Sequence, residues 1–168
     1  MPFESIDLTN GGNIRYTMRR LARCEMPFLS ILHLSFSGDY RAGCDGAVDA
    51  RYIRGIVETA CTIWRPSGLI LDLAGLSYEA GEGIDELFEP VIDEPVAYLV
   101  SSLCEPGMSR KCRHPLSSKT ILDRENVFNS FDLALRYARE KVVENWNSRA
   151  SASLLWSHTP VIDTSALA

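Results

Sequence analysis

Two short apolar runs, separated by one amphipathic helix pattern, constrain this sequence more than any other feature. The first run, Leu29 to Phe36, alternates apolar and polar side chains over the length of a strand. The helix pattern begins at Asp49, the expected N-cap, and stops before Pro66. The second run, Leu69 to Leu73, is typical of a strand covered on both faces. A strand, a helix and a strand in this order favour a right-handed parallel crossover, so we predict an α/β fold.

The remaining patterns predict one domain with a small mixed β-sheet and packed helices. The further expected elements are an edge strand at Ile14 to Met18, a helical stripe of Ile84, Leu87 and Phe88 ended by Pro90, strands at Val96 to Val100 and Ile121 to Leu122, and a helix capped by Asn129 or Ser130 and reaching Trp146. We expect Gly75 to end the second strand. The predicted divisions are a lead-in with a possible edge strand (1–27), an α/β domain (28–146) and a serine-rich, loosely held tail (147–168).

Charge and cysteine content exclude several classes of function. The net charge of −5 and the pI near 5.2 argue against nucleic-acid binding and against adsorption to anionic lipid. The longest uncharged run, Met26 to Gly38, is shorter than the roughly 20 apolar residues of a membrane span. Five cysteines without paired short spacing indicate reduced thiols. We therefore expect a cytoplasmic protein that needs no cofactor.

One segment of the chain is strongly acidic. Residues 79–94 hold seven acids and no basic residue, so this segment carries −7 and the rest of the chain, given the total of −5, carries +2. We place the segment just beyond the carboxyl end of the central strand, where open parallel sheets bind their ligands. A charge run is often only a solvated surface. The functional alternative is a docking site for a basic partner, because a field of one sign selects partners and speeds their encounter.

The string LDLAGLSYEAGEGIDEL, at Leu71 to Leu87, resembles the central segment of the STAS domain, the family of the bacterial anti-sigma factor antagonists. That segment is a buried strand ending in Leu-Asp-Leu, a glycine-containing pair, an aromatic residue and Asp-Ser-Ser-Gly-Leu opening a helix. The residues in register are Asp72, Gly75, Leu76, Tyr78, Gly83, Ile84 and Leu87. The resemblance covers 28–143 and implies a STAS-like topology and a regulatory role. The family's Asp-Ser-Ser triplet falls on Ala80, Gly81 and Glu82, so the serine that would be phosphorylated is absent.

Several other residues suggest chemistry, each beside a plainer interpretation. His33 in an apolar strand is more typical of a structural histidine than of a catalytic one. Ser101, Ser102 and Cys104 follow a strand without a nucleophile-elbow motif. Cys104, Cys112 and His114 lack the close pair of a zinc site, so we expect no metal. Arg110, Lys111, Arg113 and His114 form a basic stretch that could hold an anion or pair with the acidic segment.

These observations predict a non-catalytic protein-binding or regulatory module that uses an acidic surface. The proposed partner-binding residues are Tyr78, Glu79, Glu82, Asp85, Glu86 and Glu89, aided by the loop from Tyr40 to Asp45. The expected partner is a basic protein, and self-association stays open. One alternative is an immunity-type inhibitor of a basic toxin or nuclease. Another is a small crotonase-like or other small-molecule enzyme, in which glycine loops would supply an oxyanion hole.

Overall fold

The computed structural model describes residues 12–22, 30–112 and 120–152. Its elements in chain order are β1 (Arg15–Ala22), β2 (Ser30–Asp39), α1 (Gly46–Trp64), β3 (Gly68–Ser77), β4 (Val96–Leu99), α2 (Glu105–Lys111), β5 (Val127–Phe128) and α3 (Phe131–Ala152), with short 3-10 helices at Gly43–Asp45, Ile84–Phe88 and Ile121–Asp123. Among these helices none is long and apolar enough to cross a membrane.

The five strands form one mixed sheet in the order β1-β2-β3-β4-β5. β1 is antiparallel to β2, and the other neighbouring pairs are parallel. The prediction of a single small α/β domain with a mixed sheet is therefore confirmed, as is the parallel pairing across α1. The edge strand predicted at Ile14 to Met18 is also confirmed, and it continues to Ala22.

Side-chain alternation along β2 and β3 sends apolar residues to both faces of the sheet. Leu34 and Leu71 belong to the larger core, which the sheet forms with α1, α2 and the 3-10 segments. Ile70 belongs to a smaller core formed with α3, where Ala134 and Ala138 allow close approach of the helix. Residues on successive positions of a strand point to opposite faces, so this division follows directly from the sequence pattern.

Three expectations about the elements near the sheet are wrong. Gly75 does not end β3, which continues to Ser77. The glycine instead allows β3 to pass close to β2, since a Cβ on Gly75 would lie 2.9 Å from the Phe36 carbonyl oxygen. Asp49 is not the N-cap, since α1 begins at Gly46. The stripe at Ile84–Phe88 is a 3-10 helix of one to two turns rather than an α-helix.

Two further differences concern the C-terminal half. Ile121 and Leu122 do not form a strand and instead begin a 3-10 helix. Thr120 caps this helix, and its amide donates to the Asp123 carboxylate at 2.6 Å. The fifth strand is instead Val127–Phe128. The short helix α2 was not predicted, because Pro106 and Gly107 lower its helix propensity.

The final helix begins directly after Ser130, as expected, but it runs to Ala152 and so enters the segment 147–168 that we predicted as a tail. The rest of that tail, the lead-in before residue 12, and the residues Arg113 and His114 lie outside the described residues.

Candidate functional site

The acidic segment does not gather at one end of the sheet. In the parallel register Leu69 of β3 lies opposite Val96 of β4, so the chain between the two strands returns along the length of β3. From Leu69 to Ser77 that length is roughly 26 Å, at about 3.3 Å per residue. The expectation of a single patch beyond the carboxyl end of the central strand is therefore wrong, because the connection has to travel back to the amino end of β4.

The carboxylates fall into groups with different surroundings. At the amino end of β4, Glu94 accepts hydrogen bonds from Arg149 at 2.6 Å and Asn145 at 2.9 Å. Beside α1, Glu89 is 4.0 Å from Arg54. The remaining exposed acids of the first half of the segment form no ion pair with any basic side chain of the described residues, and we call them the carboxylate ridge: Glu79, Glu82, Asp85 and Glu86.

Tyr78 is not a surface residue, which corrects the prediction that its side chain contributes to partner binding. It is only 2% exposed and meets Tyr40 edge to face, with ring centroids 5.1 Å apart. Its hydroxyl donates to the Gly81 carbonyl oxygen at 3.1 Å. Burial raises the pKa of Tyr78 to about 12. The buried Tyr78 side chain thus fixes the backbone of the ridge loop from the interior of the domain.

The backbone of the ridge loop is fixed by several further contacts. The Tyr40 hydroxyl donates to the Glu82 carbonyl oxygen at 2.7 Å, and the Glu82 amide donates to the Gly43 carbonyl oxygen at 3.0 Å. A Cβ on Gly81 would lie 2.5 Å from the Arg41 carbonyl oxygen. The glycines of this loop therefore serve close packing of two backbones, and the loop from Tyr40 to Asp45 is a support for the ridge.

The support loop is itself anchored by a buried ion pair that the sequence reasoning missed. Asp49 is fully buried in the first turn of α1 and binds the Arg41 guanidinium through Nη2 at 2.6 Å and Nε at 3.0 Å, and the Arg41 amide at 2.7 Å. The carboxylate raises the pKa of Arg41. The sequence signal for this ion pair was an acid near the start of the predicted helix and an arginine eight residues before it.

A shallow open groove of about 340 Å³ separates the ridge loop from α2. Arg110 and Lys111 line its other side, and the Arg110 guanidinium donates to the Glu79 carbonyl oxygen at 3.0 Å. The structure thus brings two residues of the predicted basic stretch to the edge of the acidic surface. Neither of them reaches a ridge carboxylate within 4 Å.

His33 lies on the other face of the sheet from the carboxylate ridge. Its Nε2 is 3.0 Å from Asp72 Oδ2, and its ring packs against Phe131 with centroids 5.0 Å apart. Burial alone would raise the pKa of Asp72, but hydrogen bonds from His33, the Ala74 amide and Ser35 outweigh it, so the pKa lies below its ordinary value. His33 therefore has the partner expected of a structural histidine.

The candidate nucleophiles after β4 are used to tie strand ends together. The Ser101 hydroxyl donates to the Ala74 carbonyl oxygen at 2.6 Å, and the Cys104 thiol to the Leu73 carbonyl oxygen at 3.3 Å. Burial raises the pKa of Cys104. Within the described ranges no three His, Cys, Asp or Glu side chains are grouped as metal ligands, and His114 lies outside them.

The crotonase-like alternative requires backbone amides that are free to stabilise an oxyanion. In the ridge loop the Glu82 amide already donates to Gly43, and the four neighbouring carboxylates would raise the energy of a second negative charge. This loop is therefore unsuited to form an oxyanion hole.

No family model matches the sequence, and no curated protein matches it. Among solved structures, the chain is similar to one described as the crystal structure of an anti-sigma factor antagonist from Mycobacterium paratuberculosis, with 18% identity and a TM-score of 0.47 over 74% of this chain and 95% of that chain.

Proposed function

We propose that the protein is a non-catalytic binding module whose carboxylate ridge docks a basic protein partner. The observation that carries the proposal is a set of exposed carboxylates that form no ion pair with a described basic side chain, on a backbone held by the two buried tyrosines, Tyr40 and Tyr78. Glu89, although it is near Arg54, is mostly exposed and extends the surface.

Two physical consequences favour recognition by this surface. A loop that is already fixed loses little conformational entropy on binding, so more of the contact energy becomes affinity. Several carboxylates at the surface attract lysine and arginine side chains from a distance of about a Debye length, and repel acidic proteins. The partner proposed is therefore a protein with a basic surface.

The resemblance to anti-sigma factor antagonists supports a regulatory role for this surface. Glu82 stands where that family has a serine, and it supplies one permanent negative charge, whereas a phosphoserine would carry nearly two. We propose that binding by this protein is constitutive at the ridge rather than switched by phosphorylation there.

The test compares charge-neutralised variants that keep side-chain shape. Glu82→Gln with Asp85→Asn should reduce capture of the partner from the native host's lysate about tenfold, whereas Asp132→Asn with Glu140→Gln on α3 removes the same charge and should leave capture unchanged. Captured proteins are identified and quantified by mass spectrometry, and binding is repeated at high salt, where it should weaken.

Equal capture by both double variants would refute the ridge as the contact surface. The identity of the captured protein separates a signalling partner from a toxin or nuclease, the target of an immunity protein. A small metabolite that raises the melting temperature by many degrees would instead support an enzyme.

A further inference from the structure

Among the described residues, β1 is an edge strand of the sheet. β1 has eight residues and pairs with β2 on one side, and no strand of the described ranges pairs with its other side. All side chains from Arg15 to Leu21 are exposed. The backbone N–H and C=O groups of such an edge form a template for an added strand.

The two faces of β1 differ in chemistry. Tyr16, Met18 and Arg20 lie opposite Phe36, Leu34 and Leu32, whose side chains face α1, so these three residues share the α1 face. The alternate residues, Arg15, Thr17, Arg19 and Leu21, lie on the opposite face. The first face carries Tyr16 and Met18 beside one arginine, and we call it the apolar side; the second carries two arginines, Arg15 and Arg19, and we call it the basic side.

The apolar side continues on to neighbouring elements. The Tyr16 ring lies 6.2 Å from that of Phe36, and the Arg20 guanidinium lies 5.7 Å from the centre of the Trp64 ring. Tyr16 and Met18 still keep 46% and 41% of their surface exposed. An incoming side chain can bury this area.

On the basic side, no carboxylate of the described residues forms an ion pair with β1. Arg15 and Arg19 make no ion pair with any described residue, and α3 packs on β3, β4 and β5 rather than on β1. The arginines also disfavour pairing of β1 with β1 of a second copy, because like charges directly opposite each other in a sheet are destabilising.

We infer that β1 binds an extended acidic peptide as a sixth strand. Acidic side chains at every second position of the peptide face Arg15 and Arg19, and the apolar side chains between them pack on Tyr16 and Met18. Main-chain hydrogen bonds supply affinity and the alternating side chains supply specificity. This site is separate from the carboxylate ridge and takes a ligand of the opposite charge.

The probe is a fluorescein-labelled octapeptide of alternating valine and glutamate, with a valine–lysine octapeptide as its opposite. Fluorescence anisotropy should show binding of the first and at least tenfold weaker binding of the second. Arg15→Gln with Arg19→Gln should weaken binding of the glutamate peptide about fivefold, since two exposed charge contacts are lost. Arg51→Gln with Arg136→Gln, equal in charge and away from β1, should change it less than twofold.

N-methylation of the peptide tests strand addition itself. Alternate N–H groups of a strand point to opposite sides, so methylating all glutamates or all valines should abolish binding in one case and preserve it in the other. The inference would be overturned if the two methylated peptides bound equally well, or if the lysine peptide bound as tightly as the glutamate peptide. It would also be overturned if the two arginine double variants bound the glutamate peptide with equal affinity. Dimerisation of the unsubstituted protein in sedimentation that the arginine substitutions strengthen would overturn it as well, because the edge would then pair with a second copy and the arginines would only oppose that pairing.

Discussion

The ion pair between Arg41 and Asp49 offers the sharpest test of how the support loop is held. Substituting Arg41→Met removes the guanidinium and leaves a fully buried carboxylate that keeps, among the described residues, one hydrogen bond, from the backbone amide of residue 41. Breaking a buried pair by removing one partner costs about 3–5 kcal/mol. Because the Arg41 side chain is 37% exposed and the amide bond remains, we expect about 2–3 kcal/mol.

The assay is urea unfolding monitored by tryptophan fluorescence and circular dichroism. With a slope of about 2 kcal/mol per molar urea, the expected loss lowers the unfolding midpoint by about 1 to 1.5 M. The melting temperature should fall by roughly 4 to 12 °C. Arg51→Met is the matched control, because Arg51 is an exposed arginine of α1 whose guanidinium bonds only a backbone carbonyl, and its substitution should cost less than about 0.5 kcal/mol.

A double-mutant cycle with Asp49→Asn separates the pair from its surroundings. The double variant should be more stable than the sum of the single losses predicts, by about 1–2 kcal/mol, since neither partner then leaves the other uncompensated. Strict additivity, or a loss below about 0.5 kcal/mol for Arg41→Met, would refute the reasoning.

Three more expectations follow from the structure. The pKa of Asp72 is lowered in the folded state. Its carboxylate therefore stabilises the fold above about pH 4, and this contribution is lost as the pH falls through the lowered value. In urea unfolding, the loss of unfolding free energy caused by Asp72→Asn should be largest near pH 7 and should shrink below pH 4. Gly107→Ala places a Cβ 2.5 Å from the Tyr78 carbonyl oxygen and should lower the free energy of unfolding by about 1–3 kcal/mol. Gly55→Ala has open space on α1 and should raise it by up to about 1 kcal/mol. Both effects are measured by urea unfolding. In a Cys24→Ser background, the exposed Cys44 should react with a thiol reagent at pH 7.5 far faster than Cys104, because burial of Cys104 raises its pKa and blocks access.

Each of these has a contrary outcome. A deficit of Asp72→Asn that stays constant from pH 7 to pH 2.5 would show that the carboxylate is not the titrating group. Equal effects of the two glycine substitutions would contradict the close approach of α2 to the ridge loop. Labelling of Cys104 as fast as Cys44 would contradict its burial.

The sequence alone determined the layers of this fold. Apolar residues that alternate in β2 and continue through β3 have to be covered on both faces, and the helix between them has one apolar stripe, so a parallel α/β sheet follows from local periodicity. Local patterns were weaker where elements are short. Ile121 and Leu122 are two apolar residues whose spacing fits a strand or a turn of helix equally well.

The candidate site was decided by the tertiary structure. Which carboxylates are neutralised depends on arginines far away in the chain, such as Arg149 beside Glu94, and no local pattern reports that distance. Tyr78 looked like a surface aromatic in the sequence, and only its packing against Tyr40 shows that it is buried. Periodicity is a property of neighbouring residues, whereas the charge and rigidity of a surface arise from groups that the fold brings together.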